Sequence, residues 1–255
     1  MHFRGIMHQV VPTFAAGLVM RWFCKPGPCC FFFMLPHLLF DFGGVLIDID
    51  YARTPEALRR LSGAGSAIEF SQARQDDLFD QFESGHLSAT QFRAGLRTHY
   101  ALEATDEELD AAWNAMLLDV PAERLALLAE LRQQGHQTAL LSNTNVLHIA
   151  EINRRLARQY GFTHGIANCL DRVFYSQEVG LRKPGEAIFQ HALREMNWQA
   201  ADTLFIEDSP QHVATARRLG LRVLHLAPPL TLTIALPEAL RVFPQEYPAQ
   251  PAPTA

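Results

Sequence analysis

The pattern of apolar positions becomes regular at Leu35, where a short apolar run leads into Asp41. Gly43 and Gly44 follow almost at once. A continuous apolar run of this length is typical of a strand buried on both faces of a parallel sheet. Because ligand sites of open α/β sheets lie at the carboxyl ends of strands, Asp41 is a candidate nucleophile or metal ligand. The two glycines allow a tight turn and a close approach of the backbone to a ligand.

Helical periodicity dominates the next part of the chain. It predicts helices at 54–62, 69–83, 88–99 and 105–117. Ser88 is expected to cap the third of these helices, and Thr105 with Glu108 matches a capping box before the fourth. Because no strand pattern occurs here, we expect residues 51–119 to form a helical cap inserted into a larger domain.

Strands and helices alternate from Pro121 onward. The pattern predicts helices at 121–134, 145–160, 184–196 and 210–219, and strands at 137–142, 173–175, 203–206 and 222–226. Such alternation is typical of an α/β fold with a doubly wound, Rossmann-like parallel sheet and right-handed crossovers. We therefore expect the α/β core to comprise residues 35–50 and 120–243.

The two ends of the chain lack this regularity. Residues 1–34 mix aromatic residues, Pro, Gly and Cys, and we expect them to be disordered or extraneous, with Met34 as the biological start. A signal peptide is the alternative, although no small-x-small cleavage site follows a clean apolar core. Residues 230–242 are expected to pack on the core as a helix or a strand. The Pro-rich residues 244–255 are expected to form a disordered tail.

Composition narrows the class of protein. The chain has 255 residues, of which 48% are hydrophobic, so it can bury a sizeable core, and its net charge of −5 argues against a nucleic-acid partner. Pro12 and Arg21 interrupt the apolar stretch near the start, which disfavours a membrane span. The four cysteines show no paired metal-ligand spacing, which favours a reduced, cytoplasmic setting. We expect a monomer or a weak homodimer.

Polar residues stand where four of the predicted strands end. They are Asp41, Ser142, Asn143, Lys183, Glu207 and Asp208. Their carboxylates are hard oxygen ligands, which suit Mg²⁺. The hydroxyl and amide can donate hydrogen bonds to phosphate, and are also expected to cap the helix at 145–160. The lysine adds a positive charge just before a helix N-terminus, which itself favours anions. Attack on phosphorus by Asp41 would give an aspartyl-phosphate that water hydrolyses.

These residues, in this order and spacing, resemble the haloacid dehalogenase (HAD) superfamily. Its four motifs match residues 40–45 (FDFGGV), 141–143 (LSN), 176–184 (SQEVGLRKP) and 205–208 (FIED). The helical insert falls between the first two motifs, as in the subgroup with a four-helix cap. Within that subgroup, the runs that contain Asp41 and Asn143 look most like bacterial α-glucose-1-phosphate phosphatases.

The resemblance implies a magnesium-dependent phosphatase acting on a small phosphorylated metabolite, for which a sugar phosphate is one candidate. It implies that Asp41 and Lys183 are catalytic. Ser142, Asn143 and Lys183 would bind phosphate. The metal ligands would be Asp41, the carbonyl of Gly43, Glu207 and Asp208.

Gly43 departs from the pattern of most phosphatases in the superfamily, which carry there an aspartate that acts as general acid and base. Such proton transfer contributes roughly 10²–10⁴-fold to a rate. Three alternatives are open: a slow enzyme, an enzyme that depends on a good leaving group, and an enzyme that takes its general acid from elsewhere in the chain. For the third alternative, Asp48 and Asp50 are nearby in sequence. His212 is predicted to be either a residue that supports the site or an exposed residue on the surface of its helix.

Three other functions compete with the phosphatase hypothesis. A metal-free dehalogenase of the same fold would use Asp41 to attack carbon, but it has no need of the acid pair Glu207 and Asp208. A phosphomutase would depend on the carboxylate that Gly43 lacks. Only Gly43 favours the hypothesis of a non-catalytic binding domain.

Overall fold

The structure is a computed structural model that describes residues 35–62 and 77–246. Its strands are β1 (His37–Phe40), β2 (Thr138–Ser142), β3 (Arg172–Tyr175), β4 (Thr203–Glu207) and β5 (Arg222–His225). Its α-helices are α1 (Arg53–Leu61), α2 (Asp77–Glu83), α3 (Ala89–Tyr100), α4 (Asp106–Trp113), α5 (Ala122–Gln133), α6 (Val146–Tyr160), α7 (Ser176–Val179), α8 (Glu186–Met196), α9 (Pro210–Arg218) and α10 (Leu232–Glu246). Short 3-10 helices cover Asn114–Met116, Gly165–Asn168 and Ala200–Asp202.

The strands form a parallel sheet in the order β3-β2-β1-β4-β5. Leu39 in the central strand pairs with Ala139 on one side and with Phe205 on the other. Every residue of β2 and β4 is buried, which explains why Ala139–Leu141 and Leu204–Ile206 are continuous apolar runs rather than alternating patterns. The predicted α/β fold with a doubly wound parallel sheet is confirmed, and the four predicted polar strand ends lie along one edge of this sheet.

Each face of the sheet carries its own hydrophobic cluster. One cluster contains Leu38 and Phe40 of β1 together with apolar residues of α5, α6 and α10. The other contains Leu39 with apolar residues of α8 and α9. Successive residues of a strand point to opposite faces, so a single apolar strand contributes to both layers. The central strand is therefore held from both sides, and the residue that follows it, Asp41, starts from a fixed position.

Helices α1 to α4 share a separate aromatic core. Its largest members are Phe79, Phe82, Phe92 and Trp113. The rings of Phe82 and Phe92 stack with their centroids 4.0 Å apart. Both predicted capping residues are confirmed, because Ser88 and Thr105 each form a full capping box. The predicted second helix overlaps α2, while its first residues lie outside the described ranges. The limits proposed for the cap and the core remain predictions.

Two local predictions are wrong. Neither Ser142 nor Asn143 caps α6; the cap is Asn145, whose side-chain oxygen accepts a hydrogen bond from the backbone N–H of His148 at 3.0 Å. The tail does not lose its structure at Pro244, because α10 continues to Glu246. Leu232, Leu236 and Phe243 of this helix are buried in the core.

The other predictions for the two chain ends concern residues outside the described ranges. The N-terminal extension at 1–34 and the tail beyond residue 246 lie outside the described ranges. In the part of the chain that is described, no helix combines the length and apolar character needed to cross a membrane.

Candidate active site

Asp41 follows the central strand and opens a tight turn. Its backbone N–H donates to the carbonyl of Ile206 at 2.9 Å, which extends the pairing of β1 with β4. Gly44 in this turn has φ of +72°. A Cβ there would lie 2.2 Å from Oδ2 of Asp208. Position 44 thus requires glycine for its left-handed backbone and for the close approach of a carboxylate from another strand.

Lys183 lies at the centre of the site and is completely buried. Its ammonium donates to Oδ1 of Asp41 at 2.6 Å and to Oε2 of Glu207 at 2.7 Å. The Asn143 side chain accepts from the backbone N–H of Lys183 and donates to its carbonyl, both at 2.8 Å. Asn143 therefore fixes the segment that delivers the lysine. The loop after β3 and the end of β2 act together in placing one positive charge beside Asp41.

Glu207 accepts hydrogen bonds at both of its carboxylate oxygens. Oε1 accepts from the backbone N–H groups of Asp208 at 3.1 Å and Ser209 at 3.0 Å. Oε2 accepts from Lys183, and it lies 3.0 Å from Nδ1 of His212. These contacts suit a residue that anchors the lysine. His212 is buried rather than exposed on its helix, so of its two predicted roles the structure favours support of the site.

Three carboxylates surround the place where the sequence predicts a metal. Oxygen atoms of Asp41, Glu207 and Asp208 all lie within 4.8 Å of one another. Oδ1 of Asp208 is buried and has no hydrogen-bond partner in the described structure. A buried, unpaired carboxylate oxygen is costly unless a cation or a donor compensates it. The donor set and this orphaned oxygen fit a hard divalent cation.

The charges of this group do not cancel. Three carboxylates face one ammonium, and burial lowers the pKa of His212, which favours its neutral form. Burial and the charge of Glu207 raise the pKa of Asp41 to about 7. Burial and the charge of Asp41 raise the pKa of Asp208 to about 8. With all three carboxylates ionised the group carries two surplus negative charges, which a divalent cation would balance; without a cation, the raised pKa values mean that protons take up part of this charge.

A cavity of about 610 Å³ opens onto these groups. Asp41, Gly43, Ser142, Asn143 and Lys183 line it, and its volume is in the range of small-molecule sites. The hydroxyl of Ser142 donates to the carbonyl of Asn143 at a long 3.3 Å. The structure thus brings the predicted nucleophile, lysine and phosphate-binding residues to one cavity, while Glu207 and Asp208 lie behind it.

Helix α2 and the segment at 176–182 meet at the rim of the cavity. Arg182 donates to Oδ1 of Asp80 at 2.5 Å and to Oε2 of Glu83 at 2.8 Å. The hydroxyl of Ser176 donates to the carbonyl of Glu83 at 2.5 Å. Ser176 and Arg182 belong to the motif at 176–184 without a predicted role of their own, and the sequence does not point to Asp80 or Glu83. A pairing between residues about a hundred positions apart leaves no local signal in one sequence.

The two nearby acids proposed from sequence as substitutes for the missing general acid are engaged elsewhere. Oδ1 of Asp48 accepts from Arg124 at 2.7 Å. Asp50 accepts from the backbone of Ala52 and from Arg53, both at 3.1 Å. Neither acid lines the cavity. The structure therefore does not place them at the reacting group.

Tyr51 and His148 line the cavity instead. Burial, followed by the charges of Asp208 and Asp41, raises the pKa of Tyr51 above its ordinary value, so its phenol stays protonated. Burial lowers the pKa of His148 to about 3, so this imidazole is neutral. The His148 ring stacks on Trp113, and its Nδ1 lies 2.9 Å from Oδ1 of Asn114. Sequence reasoning missed both residues.

Comparison with known proteins finds similarity over most of the chain. A family model of haloacid dehalogenase-like hydrolases matches residues 35–220. A D-ribitol-5-phosphate phosphatase of Bacteroides thetaiotaomicron is 29% identical over 187 residues, which cover 73% of this chain and 89% of that protein. A ribulose-1,5-bisphosphate 5-phosphatase of Halopiger xanaduensis is 24% identical over 210 residues, or 72% of this chain and 84% of that one.

Solved structures show the same relationship. A HAD family enzyme of Bacteroides thetaiotaomicron, crystallised with magnesium and inorganic phosphate, superimposes with a TM-score of 0.70 at 28% identity. The match covers 77% of this chain and 96% of that chain. An L-2-haloacid dehalogenase matches at 19% identity with a TM-score of 0.51, over 81% of this chain and 97% of that one, which shows a shared fold only.

Proposed function

Because this chain belongs to the haloacid dehalogenase-like hydrolases, we propose that it is a magnesium-dependent phosphoric monoester hydrolase acting on a small phosphorylated metabolite. Membership confirms the resemblance to the superfamily, whereas the narrower resemblance to α-glucose-1-phosphate phosphatases is not confirmed. Two of the relatives are named for a phosphorylated polyol or sugar, D-ribitol 5-phosphate and ribulose 1,5-bisphosphate, and this favours a sugar phosphate as the substrate class, although a third is named as a sesquiterpene phosphatase. One observation carries the proposal: Asp41, which lines the cavity, is paired with the buried Lys183.

Asp41 is the proposed nucleophile. One of its carboxylate oxygens forms a bond to phosphorus, and the bond from phosphorus to the ester oxygen breaks, with the electron pair leaving on that oxygen. Lys183 holds Asp41 in a fixed orientation and offsets negative charge as the phosphoryl group is transferred. Water then attacks phosphorus and releases inorganic phosphate and the Asp41 carboxylate.

The metal site would be formed by Asp41, the Gly43 carbonyl and Asp208, with Glu207 close enough to join them. A bound Mg²⁺ would balance the two surplus charges of the ionised carboxylates and would polarise the phosphoryl oxygens as a Lewis acid. The buried oxygen of Asp208 that lacks a partner supports this assignment. Ser142 and Asn143 stand on the phosphate side of the cavity, although the Asn143 side chain is already bonded to the Lys183 backbone.

The competing functions are less well supported. A metal-free dehalogenase has no use for two surplus negative charges beside its nucleophile, and the fold match to a dehalogenase carries no function. A binding domain that has lost catalysis would not need the fully buried ion pair between Lys183 and Asp41, since buried charges are costly to retain. The cytoplasmic location and the weakly associating or monomeric state remain predictions.

The test is hydrolysis of p-nitrophenyl phosphate and of D-ribitol 5-phosphate, with Mg²⁺ or with EDTA. We expect Mg²⁺-dependent release of phosphate, and loss of turnover in Asp41→Asn with the fold unchanged by circular dichroism. Asp119→Asn changes an exposed aspartate and is the matched control. Activity that survives EDTA would refute the metal-dependent mechanism. Inactivity of the wild type on a broad panel of phosphate esters would favour the binding domain.

A further inference from the structure

The chain lacks the carboxylate that would protonate a leaving group, and its place at Gly43 is not an empty space. A Cβ at position 43 would lie 3.3 Å from Cγ1 of Ile49 and 3.8 Å from the hydroxyl oxygen of Tyr51. A carboxylate oxygen stands only two bonds beyond Cβ. The Tyr51 hydroxyl therefore occupies the region that the carboxylate of an aspartate at 43 would reach. The other neighbour, the side chain of Ile49, is apolar.

We propose that Tyr51 is a catalytic residue that donates a hydrogen bond from its phenol to the ester oxygen of the leaving group. The proposal rests on the phosphatase function proposed above and adds a residue to it. Tyr51 lines the same cavity as Asp41 and Lys183. It is half-buried, and its hydroxyl lies beside Gly43, which lines the cavity as well.

The backbone that carries Tyr51 is held firmly. It follows a pair of extended segments in which Asp48 donates its N–H to the carbonyl of Asp119 and Asp50 donates to the carbonyl of Met116. An antiparallel bridge joins Ile49 to Leu117 between these two bonds. On the other side of Tyr51, the Asp50 side chain accepts from the N–H of Ala52. A donor fixed on both sides meets the requirement that groups stabilising a transition state be preorganised.

The chemistry balances without a carboxylate at position 43. When the bond from phosphorus to the ester oxygen breaks, the electron pair and a developing negative charge go to that oxygen. The Tyr51 hydroxyl stabilises this charge while keeping its own proton, and solvent water supplies the proton that completes the alcohol. Tyr51 differs in this from an aspartic acid, which would transfer its proton outright. The contribution of Tyr51 must therefore grow with the basicity of the leaving group.

Four other polar residues along the cavity are less suited. The atoms nearest to a Cβ at position 43 belong to Ile49 and Tyr51 and not to His148 or His212, whose Nδ1 atoms contact Asn114 and Glu207. Asp80 and Glu83 are bonded to Arg182 and are acceptors when ionised, so they offer no proton to a developing oxyanion. Tyr51 combines a donor, a place beside Gly43 and a rigid backbone.

The experiment compares two aryl esters of similar size, phenyl phosphate and p-nitrophenyl phosphate, which differ in the basicity of the leaving oxygen. In Tyr51→Phe we expect kcat/KM for phenyl phosphate to fall by about 10- to 100-fold, and that for p-nitrophenyl phosphate to fall by less than about threefold. A plot of log kcat/KM against leaving-group pKa, extended to further substituted phenyl phosphates, should become steeper in the variant. Tyr160→Phe is the matched control, because its hydroxyl bonds to the Val120 carbonyl and does not border the cavity.

The ratio of the two rates in one preparation does not depend on the fraction of protein that is folded. Partial misfolding of Tyr51→Phe therefore cannot imitate the expected result. Equal losses on both esters, or no loss on either, would overturn the assignment of Tyr51 while leaving the phosphatase function standing. Failure of the proposed function would be visible separately, since the wild type would then not hydrolyse p-nitrophenyl phosphate.

Discussion

Replacing Asp208 by asparagine should stabilise the protein without metal and weaken its response to Mg²⁺. The half-buried carboxylate lies beside Asp41 and Glu207, and its buried Oδ1 has no hydrogen-bond partner in the described structure. Asparagine keeps the shape that fits against Gly44 but removes one of the two uncompensated charges. The two halves of the prediction have opposite signs, so a variant that is merely damaged cannot satisfy both.

The magnitude follows from the raised pKa of Asp208. This pKa is about 8 in the folded protein, against an ordinary value of 3.8. Between these values the folded state binds the proton more tightly than the unfolded state does. The stability due to that proton is thus present at low pH and is lost as the pH rises through 8. At pH 7 the unfolded chain has released this proton while the folded protein retains most of it, and this difference costs about 2–4 kcal/mol of stability, or roughly 5–10 °C in Tm for a domain of this size.

The assay is thermal unfolding of the wild type and of Asp208→Asn at pH 5 and pH 8, in EDTA and in excess Mg²⁺. In EDTA the wild type should lose stability between pH 5 and pH 8, and Asp208→Asn should lose less and melt higher at pH 8. Mg²⁺ at about 100 times its Kd should stabilise the wild type by about 2.7 kcal/mol and the variant by much less. Asp119→Asn should behave as the wild type. A variant that melts below the wild type in EDTA at pH 8 would refute the charge argument.

Two further substitutions test separate features. Gly44→Ala should lower the free energy of unfolding by about 1–2 kcal/mol because of the backbone at φ +72°. It should also reduce the rise in Tm on adding Mg²⁺, because the new Cβ would displace Asp208. Gly180→Ala, at φ +75° with nothing within 4 Å, should show only the loss of stability. His148→Gln should gain about 2 kcal/mol of stability relative to the wild type between pH 7 and pH 5 in urea unfolding, because the buried imidazole has a pKa of about 3 and, below its ordinary 6.5, takes up its proton only on unfolding. An unchanged difference between the two proteins would show that His148 is accessible to protons in the folded state.

The sequence predicts the sheet well because its strands are buried on both faces. Leu38–Phe40, Ala139–Leu141 and Leu204–Ile206 are continuous apolar runs, and the topology of parallel α/β units then assigns the ends of these strands to one edge. Asp41 and Lys183 follow from that rule. The capping boxes at Ser88 and Thr105 are equally local, since all their partners lie within three residues.

The separate roles of the site residues depend on contacts between distant parts of the chain, so the sequence could not predict them. Glu207 and Asp208 are adjacent acids with the same chemistry, yet one accepts hydrogen bonds at both oxygens and the other keeps a buried oxygen unpaired. Asn143 was predicted to bind phosphate from its position, and the structure shows it holding the Lys183 backbone as well. Tyr51 reaches Gly43 only because the segment from Asp48 to Asp50 folds back along the chain at 116–119.

Arg182 and Lys183 show how one short segment sets the charge of the whole cavity. Arg182 pairs with the carboxylates of Asp80 and Glu83 on α2, and Lys183 pairs with Asp41 and Glu207 in the core. Even with both cations counted, carboxylates outnumber them among these groups, and Asp208 adds another. A phosphate dianion entering this cavity alone would meet a surplus of negative charge at close range in a poorly screened environment. The arrangement therefore favours a phosphate ester that arrives with a divalent cation or after one, and the same surplus makes the site unstable without it.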